Sequence, residues 1–176
     1  IYSGNGPHLE EQANPKNIYS ITKYISEFIA NKKRSLILRT NFVGKSYSEK
    51  SSFTDWVVKY SEGKKQMYLF KDLFFSPVHT SFLSDVIIKA LLDNKVGIYN
   101  LGSKNGITKA NFIRELTSHL NIKNSNFKEI SVEEYPFKAK RPKDMRLNSK
   151  KFEEKFSIIV PTIQDTIKLV AKEYLN

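Results

Sequence analysis

The sequence has no cysteine. That excludes a disulfide framework, a thiolate zinc site and a cysteine nucleophile together, and it fits a reducing, cytoplasmic setting. Long apolar runs are absent as well. The longest, such as Val86-Ile87-Ile88 and Ala90-Leu91-Leu92, fall far short of the roughly 20 residues that cross a bilayer, so no membrane segment is expected. Histidine is scarce, at three in 176 residues, and His8, His79 and His119 are widely separated. A metal site therefore has little support and none is expected. The seven glycines form neither G-x-x-G-x-x-G nor G-x-G-x-x-G: Leu9 stands where Gly4-Asn5-Gly6 would need a third glycine. Gly102-Ser103-Lys104-Asn105-Gly106 lacks the Lys-Ser/Thr of a phosphate loop.

Negative charge is in short supply, with 18 acidic against 29 basic residues and a net charge of +11. Such a surplus suits an anionic partner without selecting one. The lysines are spread over every segment, and the only tight groups are Lys32-Lys33-Arg34 and Lys138-Ala139-Lys140-Arg141. No nucleic-acid motif accompanies them, so the reading is a solvated basic surface with no nucleic-acid partner. A nucleic-acid module would instead show binding that falls steeply with salt. Hydrophobic residues at 40% are sufficient for a folded core.

What is present is a regular alternation. Ile1-Tyr2 reads as the tail of a strand entering turn residues, so the chain opens inside an element. Helical stripes follow at Ile21, Ile25, Phe28 and Ile29, at Phe82, Leu83, Val86, Ile87, Ala90 and Leu91, and at Phe112, Ile113, Leu116 and Leu120. A further helix is expected over Phe53 to Tyr60, and two more over Asn148 to Phe156 and Thr162 to Leu175. Strands are expected over Ser35 to Val43, Gln66 to Phe70, Gly97 to Leu101 and Phe127 to Val132. Strands alternating with helices predict an α/β fold with a mainly parallel sheet.

The sharpest chemical signal is Tyr19-Ser20-Ile21-Thr22-Lys23. On a helix, residues four apart share a face, so Tyr19 and Lys23 meet. They are expected to point into a cleft while the opposite stripe, Ile21, Ile25 and Phe28, anchors the helix. A phenol is a poor proton donor or acceptor at neutral pH, and a neighbouring ammonium favours its ionised form. By itself the Tyr-x-x-x-Lys spacing is weak, given nine tyrosines.

Its context is stronger. The stretch IYSGNGPHLEEQANPKNIYSITKYISEFI, the strand LILRTNFVG, then FSPVHTSFLSDVI, GIYNLGS and RPKDMRLNSKKFEE occur in that order. Together they resemble the extended short-chain dehydrogenase/reductase superfamily, nearest to sugar-nucleotide reductases of the dTDP-4-dehydrorhamnose reductase type. The resemblance implies the C-terminal part of an NAD(P)-binding, Rossmann-like fold: residues 1–44 end its core, and residues 45–176 supply a small substrate-binding subdomain and returning core elements.

It further implies reduction of a nucleotide-linked 4-keto-6-deoxysugar with NADP or NAD. Tyr19 would give the proton, and Lys23 would hold the nicotinamide ribose and favour the phenolate. Thr40 and Asn41 would line the cofactor, Phe42 the sugar, and Arg141 the nucleotide end of the substrate. The cofactor-gripping half and the family's catalytic Ser/Thr would lie upstream of Ile1. These residues alone are accordingly expected to be inactive and to expose apolar surface, met by that half or by self-association. The rivals are an epimerase or dehydratase of the same superfamily and a non-catalytic regulatory relative.

Overall fold

The computed structural model describes residues 1–31, 35–63, 66–123, 126–137, 139 and 141–175. The Lys32-Lys33-Arg34 group lies outside the described residues, as do Lys138 and Lys140 of the second basic group. Asn17 starts the first helix, its Oδ1 accepting the Ser20 N–H at 2.8 Å, as a capping residue should. That helix, α1 (Ile18–Asn31), leads into β1 (Leu36–Thr40). β1 pairs in parallel with β6 (Gly97–Leu101), Leu36 opposite Gly97 and Thr40 opposite Leu101.

The strand expected over Ser35 to Val43 is interrupted at Asn41. Beyond it, β2 (Phe42–Val43) pairs in parallel with β5 (Val78–His79) instead. Asn41 makes the change of partner: its carbonyl accepts the Val78 N–H at 2.9 Å, and its Nδ2 donates to the Met145 carbonyl at 3.2 Å. A Ser52/Asp55 capping box opens α2 (Phe53–Ser61). β3 (Met67–Phe70) runs parallel to β8 (Phe127–Ile130). β4 (Phe74–Phe75) lies between antiparallel β7 (Ile107–Thr108) and parallel β9 (Asp144–Met145). The helices α3 (Thr80–Leu92), α4 (Lys109–His119), α5 (Lys150–Phe156) and α6 (Ile163–Leu175) complete the chain. The fold is α/β, with parallel pairing predominant.

Two cores result. In one, Leu36 and Leu38 of β1 join Tyr99 and Leu101 of β6 against Val86 and Ala90 of α3 and Phe152 and Phe156 of α5. Strand alternation turns Arg39 and Asn100 to the other side, where Arg39 meets Glu27 of α1 and Asn100 meets Tyr2. The second core packs α2, β3, β4, α4 and α6 around Val57, Leu69, Phe112, Leu116, Ile163 and Ile167.

One expectation is reversed. The apolar stripe of α1 does not anchor it: Ile21, Ile25, Phe28 and Ile29 are 42%, 53%, 62% and 61% exposed. The inward positions are Ser20, Tyr24, Glu27 and Ala30, and the grip is polar, through the Glu27–Arg39 ion pair at 2.7 Å. α3 keeps its expected face in part. Val86 and Ala90 are buried, whereas Ile87 and Leu91 face solvent together with Ile88 and Leu92.

Lys109 turns its ammonium into the second core, 3.9 Å from the Phe53 ring centroid and 3.5 Å from that of Phe75. Burial lowers its pKa to about 7. The unfolded chain, with an ordinary lysine pKa, binds that proton up to about pH 10.4, so stability rises with pH between the two values and is lowest below about 7. The ring faces offset part of the penalty. Lys109→Met is expected to raise stability at pH 7 by ~1–3 kcal/mol. Urea titrations from pH 6 to 10 would show the gap between variant and wild type closing as pH rises. A gap that stays constant would refute the assignment.

Candidate active site

Tyr19 and Lys23 occupy the first turns of α1, and the Lys23 ammonium lies 5.6 Å from the Tyr19 ring centroid. The phenol is 71% exposed, and Lys23 is exposed beside it. Because α1 leads into β1 and packs back along it, the start of α1 lies at the carboxyl end of β1. In open α/β folds that is the end where ligands bind. Thr40, Asn41 and Phe42 are the residues at that strand end. Thr40 Oγ1 donates to the Asn41 carbonyl at 3.2 Å. Phe42 is 60% exposed, a side chain presented to solvent rather than one filling the core.

The support beneath this corner is polar and buried. Arg39, adjacent to Thr40, donates through Nε to Glu27 Oε1 at 3.0 Å and through Nη2 to Glu27 Oε2 at 2.7 Å. Its Nη1 reaches the Tyr2 hydroxyl and the Glu10 carbonyl, both at 2.6 Å. Tyr2 in turn donates to Asn100 Oδ1 at 2.6 Å, and burial pushes its phenol pKa up. His8, a residue of the turn, is buried: it stacks on Tyr2 at 4.8 Å, and its Nε2 lies 2.9 Å from the Asp144 carbonyl.

Arg141 sits with a different set of residues. Its guanidinium lies 5.1 Å from the centroid of Phe137, whose ring packs 5.4 Å from that of Phe70 on β3. Farther along the same segment, Arg146 grips Asp144 through Nε and Nη2 and donates to the Gly6 carbonyl at 3.1 Å. Burial alone would raise the Asp144 pKa, but the hydrogen bonds from Arg146 and the Gly6 N–H hold it below the usual carboxylate range. This ties the Arg-Pro segment to the turn before α1. His79, isolated in the sequence, is buried, with its Nε2 3.3 Å from a carboxylate oxygen of Glu173. The two are too far apart in the chain for local spacing to reveal. Among the described residues no cluster of acidic and histidine side chains suits a metal, and no helix is long and apolar enough to cross a membrane.

A family model, the RmlD substrate binding domain, matches residues 3–176. The dTDP-4-dehydrorhamnose reductase of Shigella flexneri is 26% identical over 189 residues, a match covering 98% of this chain and 62% of that protein. The chain thus spans about three-fifths of the length of such relatives. Among solved structures, dTDP-4-dehydrorhamnose reductase from Bacillus anthracis, in complex with NADP, superposes with a TM-score of 0.82 at 21% identity, over 91% of this chain and 57% of that one. The dTDP-glucose 4,6-dehydratase of the same organism, in complex with NAD, gives 0.78 at 18% identity, covering 99% and 57%. At these identities the structures establish a shared fold.

Proposed function

The chain belongs to the RmlD substrate binding domain family, and from that we propose that it forms the substrate-binding part of an NAD(P)-dependent reductase acting on a nucleotide-linked 4-keto-6-deoxysugar. The observation that carries this reading is the Tyr19–Lys23 pair, the ammonium 5.6 Å from the ring centroid and both residues open to solvent, at the carboxyl end of β1. In this reading the Tyr19 hydroxyl gives its proton to the sugar carbonyl oxygen, and Lys23 keeps positive charge beside the phenol and engages the ribose hydroxyls. Thr40 and Asn41 line the nicotinamide end, Phe42 offers a ring face to the sugar, and Arg141 takes the phosphates. The cofactor, when bound, supplies the hydride.

The residues present fit one end of such a cofactor. Tyr19 and Lys23 suit the nicotinamide ribose, whereas no glycine-rich turn for a pyrophosphate occurs in the sequence. The proposal therefore gives these 176 residues the sugar-nucleotide and leaves the pyrophosphate grip to further polypeptide. Two calorimetric titrations test it: a deoxythymidine diphosphate sugar is expected to bind the chain, and NADPH is expected not to bind with micromolar affinity. Absence of the first would sink the functional reading, and presence of the second would sink the division of labour.

The exposed apolar row of α1 and the solvent-facing Ile88, Leu91 and Leu92 of α3 fit the same division. Alone, the chain is expected to associate with itself through α1. Sedimentation velocity should show mass rising with concentration, and Phe28→Glu should abolish the rise without lowering the urea midpoint. A monomer at all concentrations would contradict it.

A further inference from the structure

The loop Gly102-Ser103-Lys104-Asn105-Gly106 follows directly on β6. It walls a cavity of about 400 Å³ whose other side is the stretch from Arg146 to Lys150. That volume is in the range of small-molecule sites. Neither Tyr19, Lys23, Phe42 nor Arg141 lines it.

The walls are fastened to one another. Ser149 Oγ accepts the Gly102 N–H at 2.8 Å and donates to the Gly102 carbonyl at 2.9 Å. Ser76 Oγ accepts the Leu147 N–H at 2.9 Å, and the Ser76 carbonyl accepts the Ser103 N–H at 3.0 Å. The loop lies this close because it has glycine at both ends. A Cβ on Gly102 would stand 2.5 Å from Ser76 Oγ, and one on Gly106 would stand 2.7 Å from Arg146 Cγ. The cavity is therefore formed in advance, and a ligand does not have to order it.

Its lining carries three cations, Lys104, Arg146 and Lys150, against one carboxylate, Glu153. Arg146 is held by Asp144, but the two lysines are loosely committed. Lys104 Nζ lies 3.4 Å from Glu153 Oε1, and Lys150 Nζ lies 3.9 Å from Glu154, both lysine side chains being well exposed. Exposed pairs of this kind contribute little, so both ammoniums are free to turn to a stronger anion. Glu153 Oε1 also accepts the Val160 N–H at 2.9 Å, a bond that does not depend on Lys104. Ser103 adds a neutral donor. It is buried, and its hydroxyl has no hydrogen-bond partner among the described residues, which costs stability until a partner arrives.

We propose that this cavity binds a phosphate monoester, its dianionic head received by Lys104, Lys150 and the Ser103 hydroxyl. Hydrogen bonds from an ammonium to a phosphate are among the stronger ones, and lysine meets such a group as a mobile point charge. The volume leaves room beyond a bare phosphate, and the amides of Asn105 and Asn148 in the lining suit hydroxyl groups on the ester. The site takes no part in the proposed reduction, so neither stands or falls with the other.

Calorimetry on the 176-residue chain tests this with glycerol 3-phosphate, inorganic phosphate and glycerol. Glycerol 3-phosphate is expected to bind at one site and more tightly than inorganic phosphate, and glycerol is expected not to bind. Lys104→Gln should weaken the ester ~10- to 150-fold, the factor for losing one hydrogen bond to a charged group. Glu153→Gln should tighten it, because the amide oxygen can still accept the Val160 N–H while the competitor for Lys104 is gone. Damage to the fold would weaken both, so opposite signs from the two variants separate binding from stability. Arg141→Ala should leave the affinity unchanged. Absence of binding to wild type, affinity within twofold of wild type in both Lys104→Gln and Glu153→Gln, or displacement by a saturating deoxythymidine diphosphate sugar would each overturn the proposal. Inorganic phosphate binding as tightly as glycerol 3-phosphate would overturn the assignment to an ester.

Discussion

Tyr19→Phe, made in a polypeptide that carries out the proposed reduction, is expected to lower turnover by ~10²- to 10⁴-fold, the usual contribution of a positioned proton donor. The substitution removes one oxygen and nothing else. The ring is 71% exposed and its contact with the Lys23 ammonium is through the π-face, so phenylalanine keeps the packing and the local charge. Binding of the sugar-nucleotide should therefore change little, because an interaction lost only as the proton moves lowers turnover without weakening ground-state binding. Lys23→Met should reduce turnover and also raise the apparent dissociation constant for the cofactor. Turnover of Tyr19→Phe within tenfold of wild type would remove the phenol from the mechanism.

The second large effect concerns stability. Arg39→Leu is expected to cost ~3–5 kcal/mol, as breaking one half of a buried ion pair does. Arg39 and Glu27 have side chains only 8% and 13% exposed. Without the guanidinium, Glu27 is left with uncompensated charge in the interior. The Tyr2 hydroxyl and Glu10 carbonyl also lose donors at 2.6 Å, a further penalty for groups already shielded from water. The double variant Arg39→Leu/Glu27→Leu should recover much of the loss, since it removes the orphaned charge as well. Urea midpoints of the two variants decide the matter: a double variant less stable than Arg39→Leu alone would show that the pair is not the cause.

The alternation of elements could be read from the sequence because each long segment carries its own periodicity. α4 and α6 follow it, with Phe112, Leu116, Ile163 and Ile167 fully or nearly fully buried. The two-residue strands β2, β4, β5, β7 and β9 could not be read in this way. Two residues show no alternation, and each strand exists because a partner distant in the chain satisfies its backbone. Asn41 illustrates the difficulty: it sits inside a run that reads as one strand, and only its bonds to Val78 and Met145 reveal a change of partner. In the candidate site, Tyr19 and Lys23 were legible because an i,i+4 pair is a local fact. The contacts of Phe70 with the rings of Tyr135 and Phe137 join β3 to a segment more than 60 positions away in sequence, so no local pattern announces them.

The polar attachment of α1 inverts the usual ranking of mutational tolerance. A scan guided by hydropathy would protect the isoleucines and spend its substitutions on Ser20 and Glu27, the two places where the helix can least accept them. Selection for solubility could replace Ile25 or Phe28 in this stretch of chain at small local cost, whereas drift at Glu27 would release the segment that presents the phenol.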